Sequence, residues 1–335
     1  MWQVVGHEET VALLDRSLRN GRLAHAYLFV GPRHVGKMRL AIEMAKALNC
    51  HHEERPCGVC TQCERIEGLK HADVQVIGVD GTTEIGIDQM RAMQHCASLK
   101  PFEGRHRVFI IDGVEHLSRE AANCLLKTLE EPPADVQLVL LSTNDRLVLP
   151  TVLSRCHRAE LRPLPIATVE KALIERWGVD ASRAGTLARL SGGRLGWAVR
   201  AEGDDRVLQE RSEKLAGLRR VSGGGRLERL AYAAELAGQF GRDRASVFDV
   251  LSLWTSWWRD VLLVESGCGD LISNVDHEEA VGEEARGHCP DSTGRFLATL
   301  QQTRGQLEQN ANPRLALEVL MLRMPHRKGE GGPQA

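Results

Sequence analysis

The sequence predicts an α/β domain built around a parallel sheet, followed by a wholly helical region. Apolar runs alternate with amphipathic, helix-like segments from the start of the chain to about residue 161. The first strand-like run leads into a glycine-bounded turn that ends in a lysine, and strand-like runs stop after a proline-rich hinge at residues 163–165. Strands that alternate with helices are typical of parallel sheets, because each crossover between parallel strands needs a long connection.

The elements predicted for the first part follow in order along the chain. An amphipathic helix over 7–20 ends at Gly21, and a buried strand over 26–30 precedes a helix over 38–48. Further strands are predicted at 73–79, 107–112, 136–144 and just before Leu161, with helices at 87–99 and 118–131. The last of these helices must end there, because Pro132 and Pro133 cannot continue it.

After the hinge, only helical patterns remain. Three short helices are predicted at 168–177, 182–190 and 196–202, and a polar helix lies between Gly203 and the glycines at 223–225. The pattern is long and helical from residue 226 onward, with a polar stretch at 267–290 that we expect to be a loop. A last helix should begin at Asn312, as its cap, with Pro313 as its first residue, and should end before Pro325.

Three tryptophans in this region share one helix face. Trp254, Trp257 and Trp258 have the spacing i, i+3, i+4. Such a stripe is far more often part of a core or of a partner interface than of a binding site. We therefore assign these side chains to packing.

Composition restricts the class of protein. The chain has 335 residues, enough for two or three domains, and its 42% hydrophobic and 26% charged residues are typical of a globular protein. A formal charge of −2 argues against a strongly basic nucleic-acid binder but allows local basic patches. With no apolar run long enough for a membrane and no signal-peptide pattern at the start, we expect a cytoplasmic protein without membrane contact.

Residues 31–37 match the phosphate-binding pattern G-x-x-x-x-G-K in the strand–turn–helix context that this motif requires. The backbone N–H groups around Gly31, Pro32 and Gly36 and the charge of Lys37 would hold phosphate. The next residue is Met38, which lacks the hydroxyl that normally binds Mg²⁺. The sequence thus predicts a loop able to hold phosphate and poorly equipped for hydrolysis, the alternative being an ordinary glycine-rich turn.

A second nucleotide signature is expected where the strand over 107–112 ends in an acid. Asp112 is placed to bind Mg²⁺ directly or through water, as a Walker B aspartate does, although an acid there can also be a cap or turn residue. The next position, which is commonly a water-orienting Glu in motor ATPases, is Gly113. Glu115 lies two residues further on, and we do not expect it to replace that carboxylate.

Four of the nine cysteines lie within fourteen residues, namely Cys50, Cys57, Cys60 and Cys63. Their C-x6-C-x2-C-x2-C spacing can close a tetrahedral Zn²⁺ site, and four thiolate ligands leave no open position, so the site would be structural. Disulfides are not expected in a reducing compartment. The alternative is a chance grouping of free thiols.

Taken in order, these motifs resemble the clamp-loader branch of the AAA+ ATPases. Two further stretches are the most specific to it, the LLKTLEEPP run at 125–133 and the LSRC run at 153–156. The resemblance covers about residues 4–323. It implies a RecA-like AAA+ domain over 1–163 with a zinc module at 50–63, a small helical lid over 164–203, an all-α collar over 204–325 and a disordered tail over 326–335.

The resemblance also implies roles for residues that match the family motifs. Lys37 and Asp112 take the two nucleotide-binding roles already described, and Asn144 stands where a nucleotide-sensing polar residue is found. Arg155 matches an arginine finger that acts in trans on ATP held by a neighbouring subunit. From the residues alone, Arg155 would be assigned to a surface ion pair.

One further departure joins Met38 and Gly113. Gly196 occupies the place of a second sensor arginine, and Arg194 lies two residues earlier. The resemblance therefore implies a stator subunit that holds ATP or ADP weakly or without turnover. Its partners would be the other subunits of a hetero-pentameric ring, the sliding clamp that the ring opens, and primer–template DNA reached through the assembly.

The sequence leaves three alternatives open. The nearest is a hydrolysing motor subunit of the same ring, against which Met38 and Gly113 argue. The others are a zinc-dependent nucleic-acid-binding protein with a vestigial phosphate loop and a free-standing nucleotide hydrolase. Because no carboxylate set suits two-metal nucleotidyl transfer, any DNA polymerase activity would belong to the assembly.

Overall fold

A computed structural model of the protein describes residues 2–80 and 84–326. The chain forms two compact units, one made of the residues up to 168 together with 193–196, the other of the residues 169–192 and those from 197 onward. Apart from its first residue, the predicted tail over 326–335 lies outside the described residues. The predicted boundaries at 163 and 203 stay predictions.

The first unit alternates strands and helices in the predicted order. Its elements are α1 (Glu8–Arg19), β1 (Ala26–Val30), α2 (Lys37–Asn49), α3 (Thr61–Glu67), β2 (Val74–Ile77), α4 (Ile87–Ala97), β3 (Arg107–Asp112), α5 (Arg119–Glu130), β4 (Val136–Ser142), α6 (Pro150–Leu153) and β5 (His157–Glu160). The short helices α3 and α6 were not predicted, because seven and four residues are too few to display a helical repeat.

The sheet is parallel, as predicted, with the strand order β2-β3-β4-β1-β5. Val30 of β1 lies opposite Ser142 of β4, and Asp112 of β3 lies opposite Leu141. The carboxyl ends of these three strands therefore meet at one edge. Apolar side chains of α1, α2 and α3 fill the core on one face of the sheet, and those of α4 and α5 fill the other.

From residue 166 on, the described chain is helical. The helices are α7 (Ile166–Trp177), α8 (Ala181–Ser191), α9 (Leu195–Gly203), α10 (Asp205–Ser222), α11 (Arg226–Arg242), α12 (Arg244–Glu265), α13 (Glu278–Arg286), α14 (Pro290–Glu308) and α15 (Pro313–Leu322). The last helix starts as predicted, since Asn312 Oδ1 accepts the N–H of Leu315 at 3.2 Å and Pro313 is the first helical residue.

The three tryptophans of α12 form the centre of a helical core. Trp254, Trp257 and Trp258 are 0%, 1% and 0% exposed. The Trp258 ring meets Phe296 of α14 edge-on, with 5.1 Å between the ring centroids. Their assignment to packing is confirmed.

The expectation of a loop over 267–290 is wrong. Two short 3-10 turns, Gly269–Leu271 and Val275–His277, are followed by α13 within that stretch. Val281 and Ala285 of α13 are one helical turn apart and buried, which is the apolar spacing that the polar composition concealed. No helix within residues 2–80 and 84–326 is long and apolar enough to cross a membrane.

Candidate nucleotide site, cysteine cluster and exposed arginine

The phosphate loop begins directly after β1, which lies between β4 and β5 in the sheet. The N–H of Gly31 donates to the carbonyl oxygen of Ser142 at 3.1 Å. A Cβ at position 31 would lie 2.2 Å from the carbonyl oxygen of Leu161, so glycine is needed for this close approach. Gly36, which caps α2, has a φ of 117°, a conformation that other residues rarely adopt.

The side chain of Lys37 turns back onto the phosphate loop. Its side chain is largely buried, and Nζ donates to the carbonyl oxygens of Gly31 at 2.6 Å and Pro32 at 2.9 Å. Burial lowers the pKa of Lys37 to about 8, with the carboxylates of Glu115 and Asp112 opposing the shift. The predicted residues Gly31, Pro32, Gly36 and Lys37 thus lie together in one loop, and their role in binding phosphate stays a prediction.

Met38 follows Lys37 in the first turn of α2. Its side chain packs, partly buried, against the apolar core between α2 and the sheet. A thioether in this position offers no oxygen to a hard cation such as Mg²⁺, which prefers carboxylate, hydroxyl and water ligands. The loop therefore lacks the metal-binding side chain that usually follows its lysine.

The predicted second acid stands at the same edge of the sheet. Asp112 is the last residue of β3 and is exposed there, while the next residue, Gly113, has a φ of 79°. A non-glycine residue with such a φ is strained. A glutamate at position 113 would therefore be strained in this backbone conformation.

Glu115 lies near Lys37 and Asp112 and also contacts the end of β4. Its Oε1 accepts the N–H of Thr143 at 2.9 Å and the hydroxyl of Thr143 at 2.6 Å. These contacts tie the short turn after β3 to the end of β4. One oxygen of the carboxylate is thus used in this contact, and the expectation that Glu115 does not replace the missing glutamate stays a prediction.

Asn144 lies at the end of β4 and forms a local cap. Its Oδ1 accepts the N–H of Arg146 at 3.0 Å, and its N–H donates to the Ser142 hydroxyl at 3.2 Å. The structure places Asn144 two residues beyond the edge of the sheet at which Asp112 ends. Its role in sensing nucleotide stays a prediction.

Residues 193–196 belong to the first unit and contact the phosphate loop. The N–H of Gly196 donates to the carbonyl oxygen of His34 at 2.9 Å, and a Cβ at position 196 would also lie 2.9 Å from that oxygen. A side chain there requires a shift of backbone. The contact with His34 was not foreseen, because no sequence pattern links residues 34 and 196.

Arg155 follows α6 and is 36% exposed through its side chain. Nη2 donates to Glu130 Oε1 at 2.7 Å, and Nη1 donates to the carbonyl oxygen of Thr151 at 2.9 Å and to the Ser154 hydroxyl at 3.2 Å. Arg155 thus forms a surface ion pair and stays partly accessible, and its role as an arginine finger stays a prediction. Glu130 was not singled out from the sequence, although it lies in the specific run at 125–133.

The four cysteines converge where α2 ends and α3 begins. The Sγ atoms of Cys50, Cys57, Cys60 and Cys63 all lie within 4.8 Å of one another, and all four are free thiols. Cys50 and Cys60 are 4.0 Å apart, as are Cys57 and Cys63. A tetrahedral Zn²⁺ with bonds of about 2.3 Å places its sulfur ligands about 3.8 Å apart, so this set fits the ion.

The backbone around Cys60 favours the thiolate form of this one cysteine. The N–H of Cys60 donates to Cys57 Sγ at 3.3 Å, and Gly58 has a φ of 79°, which bends the chain between them. Burial opposes ionisation of Cys60, but hydrogen bonds from the backbone of Cys63 and His51 lower its pKa to about 6. Burial, in contrast, raises the pKa of Cys50 and of Cys63. The cluster therefore has the donor set and the spacing of a metal site, and a bound cation would be needed to hold all four sulfurs as thiolates.

Comparisons with known proteins match this chain to subunits of bacterial DNA polymerase III. Residues 6–165 match the family model described as DNA polymerase III, delta subunit. The delta' subunit of Bacillus subtilis DNA polymerase III is 28% identical over 311 residues, which cover 92% of this chain and 93% of that protein.

Two other relatives are longer than this chain. The gamma/tau subunit of Mycobacterium tuberculosis is 29% identical over 351 positions, covering 96% of this chain and 60% of that protein. The tau subunit of Salmonella typhimurium is 40% identical over 172 residues, covering 51% of this chain and 26% of that protein. The chain therefore spans less than two thirds of the length of these two relatives.

Proposed function

Because the chain is a member of the clamp-loader family that includes the delta' and gamma/tau subunits of bacterial DNA polymerase III, we propose that it is a delta'-type stator subunit. In this role it completes the ATP site of a neighbouring subunit and helps an ATP-driven ring to load the sliding clamp onto primed DNA. Any polymerase activity belongs to the holoenzyme of which the ring is a part.

One contrast carries this proposal. The chain's own loop has Met38 where a Mg²⁺-binding hydroxyl is needed, and Gly113 has a left-handed backbone where a catalytic carboxylate is needed. Arg155, in contrast, is accessible and held by three hydrogen bonds. A chain that lacks its own hydrolytic groups but presents an ordered arginine is suited to act on ATP held by a neighbour.

Two ligands follow from the same proposal. ATP or ADP would be held weakly by Lys37 and the N–H groups of the phosphate loop, with Asp112 and Asn144 at the edge of the sheet, and would not be hydrolysed. Zn²⁺ would be held by the four cysteines and would fix the connection from α2 to α3. Neither ligand gives this subunit an enzymatic activity of its own.

The partners are the other loader subunits, of the gamma/tau and delta types, in a hetero-pentameric ring. We assign residues 164–203 to a lid and residues 204–325 to a collar that joins the subunits. Sliding clamp and primer–template DNA are reached through the assembled ring.

The second candidate is a hydrolysing motor subunit, which the gamma/tau relatives favour. Identity to the Salmonella tau subunit reaches 40% over 172 residues. Met38 and Gly113 oppose this candidate, since a motor needs both a Mg²⁺ ligand and a base that orients water.

The proposal can be tested by leaving this chain out of a reconstituted clamp loader. We expect the chain to co-purify with gamma/tau-type and delta-type subunits, and we expect clamp loading on primed DNA to fail without it and to return when it is added. A loader that works equally well without the chain would contradict the stator role. Efficient ATP hydrolysis by the chain alone would favour the motor.

A further inference from the structure

The guanidinium group of Arg155 is ordered before any partner is present. Three hydrogen bonds, to Thr151, Ser154 and Glu130, use three of the five N–H donors that an arginine carries. Two of these acceptors lie on the same short turn as Arg155. Glu130, in contrast, reaches it from the end of α5, which is 25 residues earlier in the chain.

The placement of Glu130 needs explanation. It is the last residue of α5, where the helix dipole is negative and a carboxylate is disfavoured. Glu131 follows directly and is also exposed, but in the part of the chain that the structure describes it forms no ion pair. Of two adjacent carboxylates at this helix end, only the one at 130 meets the arginine.

We propose that Glu130 is a positioning residue for Arg155, fixing the guanidinium so that its two remaining N–H groups face phosphate oxygens on a neighbouring subunit. This inference rests on the proposed function of Arg155. A free arginine samples many rotamers, and ordering it during the reaction costs entropy that a side chain already held in place has lost. Glu130 thus acts through Arg155 and does not touch ATP itself.

Stability does not account for the pair. The side chains of Arg155 and Glu130 are 36% and 51% exposed, and exposed ion pairs contribute little to folding. Removing Glu130 should therefore leave the fold and the assembly of the ring intact. An effect on turnover can then be assigned to the position of Arg155.

The test uses the reconstituted loader with Glu130→Ala, and Glu131→Ala as the matched control at the same helix end. We expect Glu130→Ala to lower the kcat of DNA-stimulated ATP hydrolysis about three- to fivefold with an unchanged KM, and Glu131→Ala to leave both unchanged. The double variant Glu130→Ala/Arg155→Ala should be no slower than Arg155→Ala alone, because Glu130 acts only through that arginine.

Each contrary result has a distinct meaning. If Arg155→Ala slows the ring but Glu130→Ala does not, or if Glu130→Ala raises kcat, the positioning role is overturned. A further loss in the double variant beyond Arg155→Ala would also overturn it. If Arg155→Ala itself has no effect in an assembled ring, the proposed function fails, and the role of Glu130 fails with it.

Discussion

The N–H of Gly196 donates to the carbonyl oxygen of His34 at 2.9 Å, which fixes residues 193–196 to the phosphate loop. The family resemblance predicts that position 196 corresponds to a sensor arginine, and a Cβ there would lie 2.9 Å from the same oxygen. The close approach of Gly196 to His34 therefore leaves no room for a side chain at position 196.

Glycine at 196 should be required for stability. We expect Gly196→Ala to lower the free energy of unfolding by about 1–3 kcal/mol, since the methyl group must displace backbone of the loop. Gly305→Ala in α14 is the matched control, because nothing lies within 4 Å of its added Cβ and alanine should stabilise the helix by about 0.5–1 kcal/mol. Urea denaturation measures both, and a stabilised Gly196→Ala variant would contradict the packing argument.

The isolated chain should have negligible ATPase activity. Losing both the Mg²⁺-binding hydroxyl and the water-orienting acid removes several decades of rate, and each decade corresponds to about 1.4 kcal/mol. Gly113→Glu should not restore hydrolysis, because the φ of 79° at this position strains any side chain by about 1–2 kcal/mol. Phosphate release by the purified chain is the measurement. Turnover that Lys37→Ala abolishes would show that Met38 and Gly113 do not disable the site.

Nucleotide binding should weaken above pH 8. Burial lowers the pKa of Lys37 to about 8 from its ordinary value of 10.5, and bound phosphate would raise it again. The affinity for ADP should thus be flat below pH 8 and fall by up to tenfold per pH unit above it. Lys37→Gln should bind more weakly and without this dependence. Calorimetric titration with ADP from pH 7 to 9.5 measures this pH dependence. An affinity of the parent chain that does not change with pH would contradict the prediction.

Unfolding of the chain should not explain the lower affinity for ADP above pH 8. Because the folded pKa of Lys37 lies below the unfolded one, the unfolded chain binds more protons between about pH 8 and 10.5. The contribution of Lys37 to stability therefore rises with pH in this window, opposite to its contribution to binding.

The cysteine cluster should hold one Zn²⁺ per chain. Cys57→Ser should release the metal and destabilise the segment between α2 and α3, since structural zinc contributes about 10–16 kcal/mol in finger peptides. Cys268→Ser is the matched control, because Cys268 is exposed and lies outside the cluster. Elemental analysis of protein purified under reducing conditions measures the metal, and chains without zinc would overturn the site.

Much of the first unit could be predicted from sequence because its signals are local. Apolar runs marked β1, β3 and β4, and glycines with a lysine marked the phosphate loop between β1 and α2. The grouping of the cysteines within 4.8 Å also followed from spacing alone. These features depend on residues close together in the chain, where periodicity and spacing are informative.

Contacts between distant residues could not be predicted in this way. The bond from Gly196 to His34 and the pair of Arg155 with Glu130 join segments whose approach depends on the whole fold. The helix α13 was missed for another reason, because only Val281 and Ala285 mark its buried face within a polar stretch. Its acidic first turn, Glu278 and Glu279, was the available signal.

We propose that Arg155 acts in trans on ATP held by a neighbouring subunit. The ATPase rate of a reconstituted loader that carries Arg155→Ala or Arg155→Lys tests this role most directly. Arginine fingers in other phosphoryl-transfer systems supply about 10³ to 10⁵ in rate, and lysine lacks the planar fork, so we expect both variants to lose most DNA-stimulated hydrolysis and clamp loading. Gel filtration should show an intact ring. Near-parental hydrolysis by an intact Arg155→Ala ring would contradict the claim and return Arg155 to the class of surface ion pairs.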